Sequence, residues 1–186
     1  TDQWLPLVFP MKVTVVTEQV REMFRWDLRP LEAAVKSAPA GADGVMFLPY
    51  LNGERTPPLP NGTGVIHGLR PTNMAPANIA RAAVEGATLG LAYGLKRFRD
   101  LGMNPTEIRL TGGGSKSSVW RQIAADCFNA EVVTLSTSEG AALGAAIQAI
   151  YARDNQDGPE RLGYEALCAR LVKLDESTRC KPNADN

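Results

Sequence analysis

Ile108-Arg109-Leu110-Thr111-Gly112-Gly113-Gly114-Ser115-Lys116-Ser117 is the stretch that decides the reading of this chain. A short apolar strand pattern runs into three consecutive glycines. Small polar residues follow, and a helical pattern begins at about Ser118. Glycines at a strand-to-helix junction let a ligand come close to the backbone. The first N–H groups of a helix lack acceptors and can point at an anion. A nucleotide phosphate is the natural guest, and a turn that needs glycine for geometry alone is the plain alternative. The pattern is not a Walker A loop, because Ser115 and not glycine precedes Lys116. It is not the dinucleotide fingerprint either, because Ser117 stands three places after Gly114.

Outward from the loop, residues 107–111 read as a strand and 118–128 as a helix, with Val119, Ile123 and Cys127 on one stripe. A second strand is expected over 131–135 and an alanine-rich helix over 139–152. This order predicts a parallel strand pair with a right-handed crossover. Gly140 and Gly144 would let the last helix pack tightly on the sheet. Upstream, helices are expected over 14–24 and 31–37, a buried strand over 45–48 and a returning strand over 64–69. A long helix is expected over 76–100, with Pro76 in its first turn. Gly86, Gly90 and Gly94 lie on one face of it, which suggests close approach of another backbone, or room for a nucleotide base. A weak helix is expected over 158–171, and the polar tail 175–186 is expected to fray.

Bulk composition narrows the function classes. With 186 residues, 44% of them hydrophobic and 22% charged, the chain can form one globular domain, 1–186, with a real core. Its 20 basic and 20 acidic residues cancel, so no basic face for nucleic acid is implied. No apolar run reaches membrane-spanning length. Cys127, Cys168 and Cys180 have no metal-ligand spacing, and the single His67 has no partner for a zinc site, so no metal site is assigned. An odd count of cysteines without a disulfide framework points to the cytoplasm. The apolar opening, Trp4 to Pro10, looks like a cut edge.

Three stretches together resemble the C-terminal domain of the FGGY carbohydrate kinases. The first is Gly64-Val65-Ile66-His67-Gly68-Leu69 with Asn78-Ile79-Ala80-Arg81-Ala82-Ala83-Val84-Glu85. The second is Leu110-Thr111-Gly112-Gly113-Gly114-Ser115-Lys116-Ser117 with Trp120-Arg121-Gln122, similar to the family's adenosine-binding loop and helix. The third is Phe47-Leu48-Pro49-Tyr50-Leu51-Asn52-Gly53-Glu54-Arg55-Thr56-Pro57, closer to the xylulose kinase branch than to the glycerol kinase branch. The resemblance implies an α/β fold: the C-terminal lobe of an actin-like ATPase, built on a ribonuclease H-like core and lacking its first strands here. It implies ATP-dependent phosphorylation of a pentulose, with Mg2+. The sugar pocket and general base belong to an N-terminal lobe, so no catalytic residue is assigned in this chain.

Roles carry over only where residues match. Gly112, Gly113 and Gly114 would bring the backbone to the phosphates of ATP or ADP. Ser117 would face the adenine, or cap the helix in competition with Ser115. Thr14 and Glu18 would line the ribose and adenine pocket, or form a solvated helix face. Glu54 and Arg55 would pair to fix their loop, and Arg121 would brace its helix. The sugar would bind through the other lobe, the isolated chain would be inactive, and exposed Leu7, Val8 and Phe9 would drive self-association. The rival readings are a kinase for ribulose, gluconate or glycerol, a non-catalytic nucleotide-binding module, and a nicotinamide-binding domain. The last is disfavoured because the strand ending at Thr134-Leu135 carries no acidic residue.

Overall fold

The computed structural model describes residues 6–8, 10, 13–156 and 162–186. One long helix, α3 (Pro76–Asp100), organises the packing. Pro76 occupies its first turn, where a missing N–H costs nothing. Asn73, only 2% exposed, builds the entry: its Nδ2 donates to the carbonyls of Asp43 and Gly68, and its Oδ1 accepts from the N–H of Arg70. The N-terminal half of α3 is buried nearly all round, through Ile79, Ala80, Ala82, Ala83, Val84 and Ala87. Small residues there let four elements pack on one helix.

Two of those elements are α1 (Val15–Phe24) and α2 (Leu28–Ser37). Val16 and Val20 of α1 and Leu31 and Val35 of α2 sit four residues apart, so each pair faces the core. The second helix starts three residues before the expected Leu31. Pro30 falls in its first turn, where a missing N–H donor costs no intrahelical bond. Strand β1 (Met46–Leu48) pairs antiparallel with β2 (Val65–His67), Phe47 opposite Ile66. The strand expected to be buried is only half-buried. Phe47 points into the core, while Met46 and Leu48 point outward.

The second sheet has the order β3-β4-β5. β3 (Glu107–Leu110) and β4 (Glu131–Leu135) are parallel, Ile108 opposite Val132, and are joined through the glycine loop and α4 (Ser118–Phe128). Ala124, Ala125, Phe128, Ala130 and Val132 form a second core cluster, which Leu91 and Leu95 connect to α3. Helices α5 (Gly140–Asp154) and α6 (Tyr164–Leu171) follow, with Tyr151 stacked on Tyr164. The expected start of the latter at Gly158 lies outside the described residues. Tight packing of α5 on the sheet is only partly realised. Gly140 lies against Thr111 and Leu135, Gly144 faces open space, and Ile147 is the buried residue of the helix.

The tail does not fray as expected. Residues 174–180 form β5 (Leu174–Cys180), antiparallel to β4. The backbone N–H of Asn183 and the side-chain Nδ2 of Asn186 both donate to the carboxylate of Asp126. The strand is polar, so apolar patterning gave no sign of it; its partners are cross-strand. Arg179 Nη1 reaches the carboxylates of Glu107 and Glu131, each at 3.0 Å, and Nε reaches Glu176 at 2.7 Å. Hydrogen bonds from Arg109 and Arg179 hold the Glu107 carboxyl below the usual carboxylate range.

The glycine stripe of α3 also needs correction. A Cβ on Gly86 would collide with the backbone carbonyl of Phe47, and one on Gly94 with the side chain of Val8. Among the described residues nothing lies within 4 Å of where a Gly90 Cβ would stand, so none of them packs on this glycine. Of the apolar opening, Leu7 is exposed, Val8 packs on Gly94, and Trp4 and Phe9 lie outside the described residues.

Two outcomes are expected. Gly86→Ala should destabilise by about 1–3 kcal/mol, because a backbone carbonyl cannot yield as a side chain can. Gly90→Ala should stabilise by about 0.8–1 kcal/mol through helix propensity. Urea denaturation of both variants checks the contrast. Arg179→Met should speed amide hydrogen exchange in β5 at neutral pH while leaving α3 protected. Because the Glu107 pKa is depressed on folding, the clasp is present above its unfolded value and lost as pH falls through the folded one. Wild type and variant should therefore converge in acid.

Candidate functional site

The glycine loop borders a cleft of about 390 Å3 between α1, α2 and the start of α4. Its shape comes from local bonding. Gly112 has φ +85°, a conformation that glycine adopts without strain. A 3-10 turn then covers Gly113–Lys116. Ser115 folds the loop onto itself, its N–H and its hydroxyl both donating to the Gly112 carbonyl, at 3.3 and 2.7 Å. Arg121 Nη1 donates to the Ser115 carbonyl at 2.9 Å, so this arginine braces the loop.

Ser117 fills two roles. As the N-cap of α4 its Oγ accepts the Trp120 N–H at 3.2 Å. The same hydroxyl donates to Glu32 Oε1 on α2 at 2.9 Å. Trp120 is fixed in turn: its indole Nε1 donates to Thr88 Oγ1 at 3.0 Å, and that hydroxyl donates to the Val84 carbonyl. The ring lies under Gly114, where a Cβ would stand 3.2 Å from it. Gly113, by contrast, has none of the described residues within 4 Å of where its Cβ would be.

Thr14, just before α1, and Glu18 on it line the opposite wall. Glu18 pairs with Arg21 at 2.5 Å, and Arg21 Nε donates to the Trp26 carbonyl. Leu31, Val35, Val84 and Trp120 make the lining apolar. Thus Gly113, Gly114, Ser117, Thr14 and Glu18 border a single cleft, although they come from segments about a hundred residues apart. Gly112 is not in the lining and supplies the bend that precedes it. Sequence reasoning did not find Glu32, Leu31 and Val35. No local pattern on α2 announces that its exposed edge faces a loop 85 positions away.

Other expected features lie elsewhere. Glu54 Oε1 accepts from the backbone N–H groups of Arg55 (2.6 Å) and Thr56 (3.4 Å), so it holds its loop through the backbone. Tyr50 and Pro57 border a separate groove with Phe47, Gly86 and Gly90, which shares no residue with the cleft. Burial, reinforced by Glu85 and Asp126, pushes the Cys127 thiol up to about 11, so it is inert at neutral pH. Among the described residues no three His, Cys, Asp or Glu side chains are grouped so that they could hold a metal ion. No described helix is long and apolar enough to cross a membrane.

An α/β lobe thus sets a glycine loop opposite an apolar wall built by two helices. The C-terminal domain of the FGGY family of carbohydrate kinases matches residues 15–153, and the chain belongs to that family. It is 46% identical over 180 residues to the xylulose kinase of Haemophilus influenzae, covering 97% of this chain and 35% of that protein. Among solved structures it resembles the ligand-bound xylulose kinase of Lactobacillus acidophilus (TM-score 0.79, 28% identity, 92% of this chain and 34% of that one). It also resembles the gluconate kinase of the same organism (TM-score 0.78, 28% identity, 92% and 34%). The chain spans about a third of the length of these relatives. The fold is thus that of the actin-like sugar kinases, in their C-terminal part.

Proposed function

We propose that this chain is the ATP-binding lobe of a kinase that phosphorylates a pentulose, D-xylulose, in the cytoplasm. The observation that supports it most is the convergence of Gly113, Gly114, Ser117, Thr14 and Glu18 on one cleft. The sugar assignment rests on the 46% identity to a xylulose kinase across nearly the whole chain. Three free cysteines suit a reducing compartment.

In this reading the chain's task is placement. Phosphoryl transfer depends on positioning and on stabilising charge. The N–H groups of Gly113 and Gly114 open the 3-10 turn, where they have no acceptor within it, and they meet phosphate oxygens. Lys116, exposed beside them in the cleft lining, adds a cation at the same end. Thr14 and Glu18 face the ribose, and the apolar lining receives the base. Donors and a cation at the phosphate end do not fit Mg2+, so an accompanying ion is held by the phosphates and by residues outside this chain. A second lobe supplies the sugar pocket and the base that takes the hydroxyl proton.

Gly113→Val tests the reading cleanly. The new side chain enters open space in the cleft and not the fold. ADP affinity measured by titration calorimetry should fall at least tenfold, about 1.4 kcal/mol or more, with the melting temperature unchanged. Unaltered affinity in the folded variant would remove the glycine loop from the nucleotide site. Gly114→Val is a poorer probe, because it also presses on Trp120.

A further inference from the structure

A second cavity, of about 260 Å3, shares no lining residue with the cleft at the glycine loop. Lys36 of α2, Arg81 of α3 and Ser118 of α4 border it. Arg81 is only 9% exposed. Its Nε donates to Glu85, and the same carboxylate oxygen accepts the Gly41 N–H. The N–H groups on Nη1 and Nη2 have no acceptor among the described residues. Neither is sealed in the core, because the buried side-chain nitrogen without a partner among those residues is Arg121 Nε. Arg81 borders neither the glycine-loop cleft nor the groove at Gly90, so its unused donors meet solvent at this cavity.

The neighbouring groups call for an anion. Among the described residues no carboxylate pairs with Lys36. Ser118 and Val119 open α4, so their N–H groups have no acceptor within the helix, and its positive dipole end lies here. Asp126 is the carboxylate of the lining, and its charge is already met: Oδ1 accepts from Gln122 Nε2 and the Asn183 N–H, and Oδ2 from Asn186 Nδ2. A guanidinium held through Nε by one carboxylate keeps its Nη edge for a second oxyanion. Donors from three helices suit a group with three terminal oxygens better than a planar carboxylate with two. We infer that Lys36, Arg81 and the first turn of α4 form a phosphate-binding site, for the free ion or for the phosphate group of a small metabolite. An ion held there ties α2, α3 and α4 together. The site lies apart from the glycine-loop cleft, and the inference does not rest on the nucleotide reading.

NMR titration of inorganic phosphate into the isotope-labelled full-length protein that carries this chain tests it, with chloride at matched ionic strength as the reference. The amides of Lys36, Ser118, Val119 and Gln122 and the Arg81 Nε–H signal should shift saturably with phosphate and not with chloride. Lys36→Met removes an exposed cation, so it should weaken phosphate about fivefold while the phosphate-free melting temperature holds. Lys36→Glu should abolish binding. Arg81→Lys keeps a charge for Glu85 and loses the planar fork, and should weaken phosphate about tenfold; if it does not fold, the two Lys36 variants decide. Gly113→Val, in the other cleft, should leave these shifts unaltered. Ribose 5-phosphate binding tighter than phosphate assigns the site to a metabolite, and the reverse order assigns it to the free ion. The inference falls if no saturable shift occurs, if the shifts are confined to residues 113–117, if malonate binds tighter than both phosphates, or if both Lys36 variants keep wild-type affinity.

Discussion

One hydrogen bond, from the indole N–H of Trp120 to the hydroxyl of Thr88, joins the glycine loop to the helix on which everything else is packed. Thr88 is fully buried in α3 and donates onward to the Val84 carbonyl. Trp120 is held at its backbone by Ser117 and at its ring by Thr88, and it supports Gly114. The loop therefore has a fixed height above α3. Because α1 and α2 pack on the same stretch of α3, the walls of the cleft share one reference surface. A short polar chain embedded in an apolar core is costly unless every member is satisfied, and here each donor has its acceptor.

The same economy of small residues explains why a single helix can serve so many partners. Alanines at 80, 82, 83 and 87 keep the N-terminal half of α3 slim, and Gly86 lets the Phe47 backbone rest on it. Helices α1 and α2, strand β1 and the Trp120 ring then reach it from different sides. The C-terminal half connects to the second sheet through Leu91 and Leu95. The cleft is thus a product of core packing, and the loop adds only the chemistry of its edge.

Much of this was legible in the sequence. The bounds of α3, α4 and β4 follow from apolar periodicity punctuated by Pro76 and Ser117. The family motif and the glycine run named six candidate residues, and five of them border one cleft. What escaped depends on tertiary partners. Strand β5, read as a fraying tail, carries Leu174-Asp175-Glu176-Ser177-Thr178-Arg179-Cys180, polar throughout its middle. Its order comes from ladder bonds to β4 and the Arg179 clasp. Gly90 shares a helical face with Gly86 and Gly94, yet none of the described residues approaches it as Phe47 and Val8 approach the other two. The α2 wall was invisible because Glu32 acquires its role only when Ser117 arrives from a distant segment.

The central claim is that the cleft between α1, α2 and the glycine loop receives an adenine nucleotide. Titrating ADP into isotope-labelled protein and following amide and indole signals by NMR tests it most directly. Shifts should concentrate on residues 113–117, on Thr14, Glu18 and Glu32, and on the Trp120 indole. Shifts confined to the separate groove around Phe47, Tyr50 and Gly90, or no shifts at saturating ADP, would contradict it.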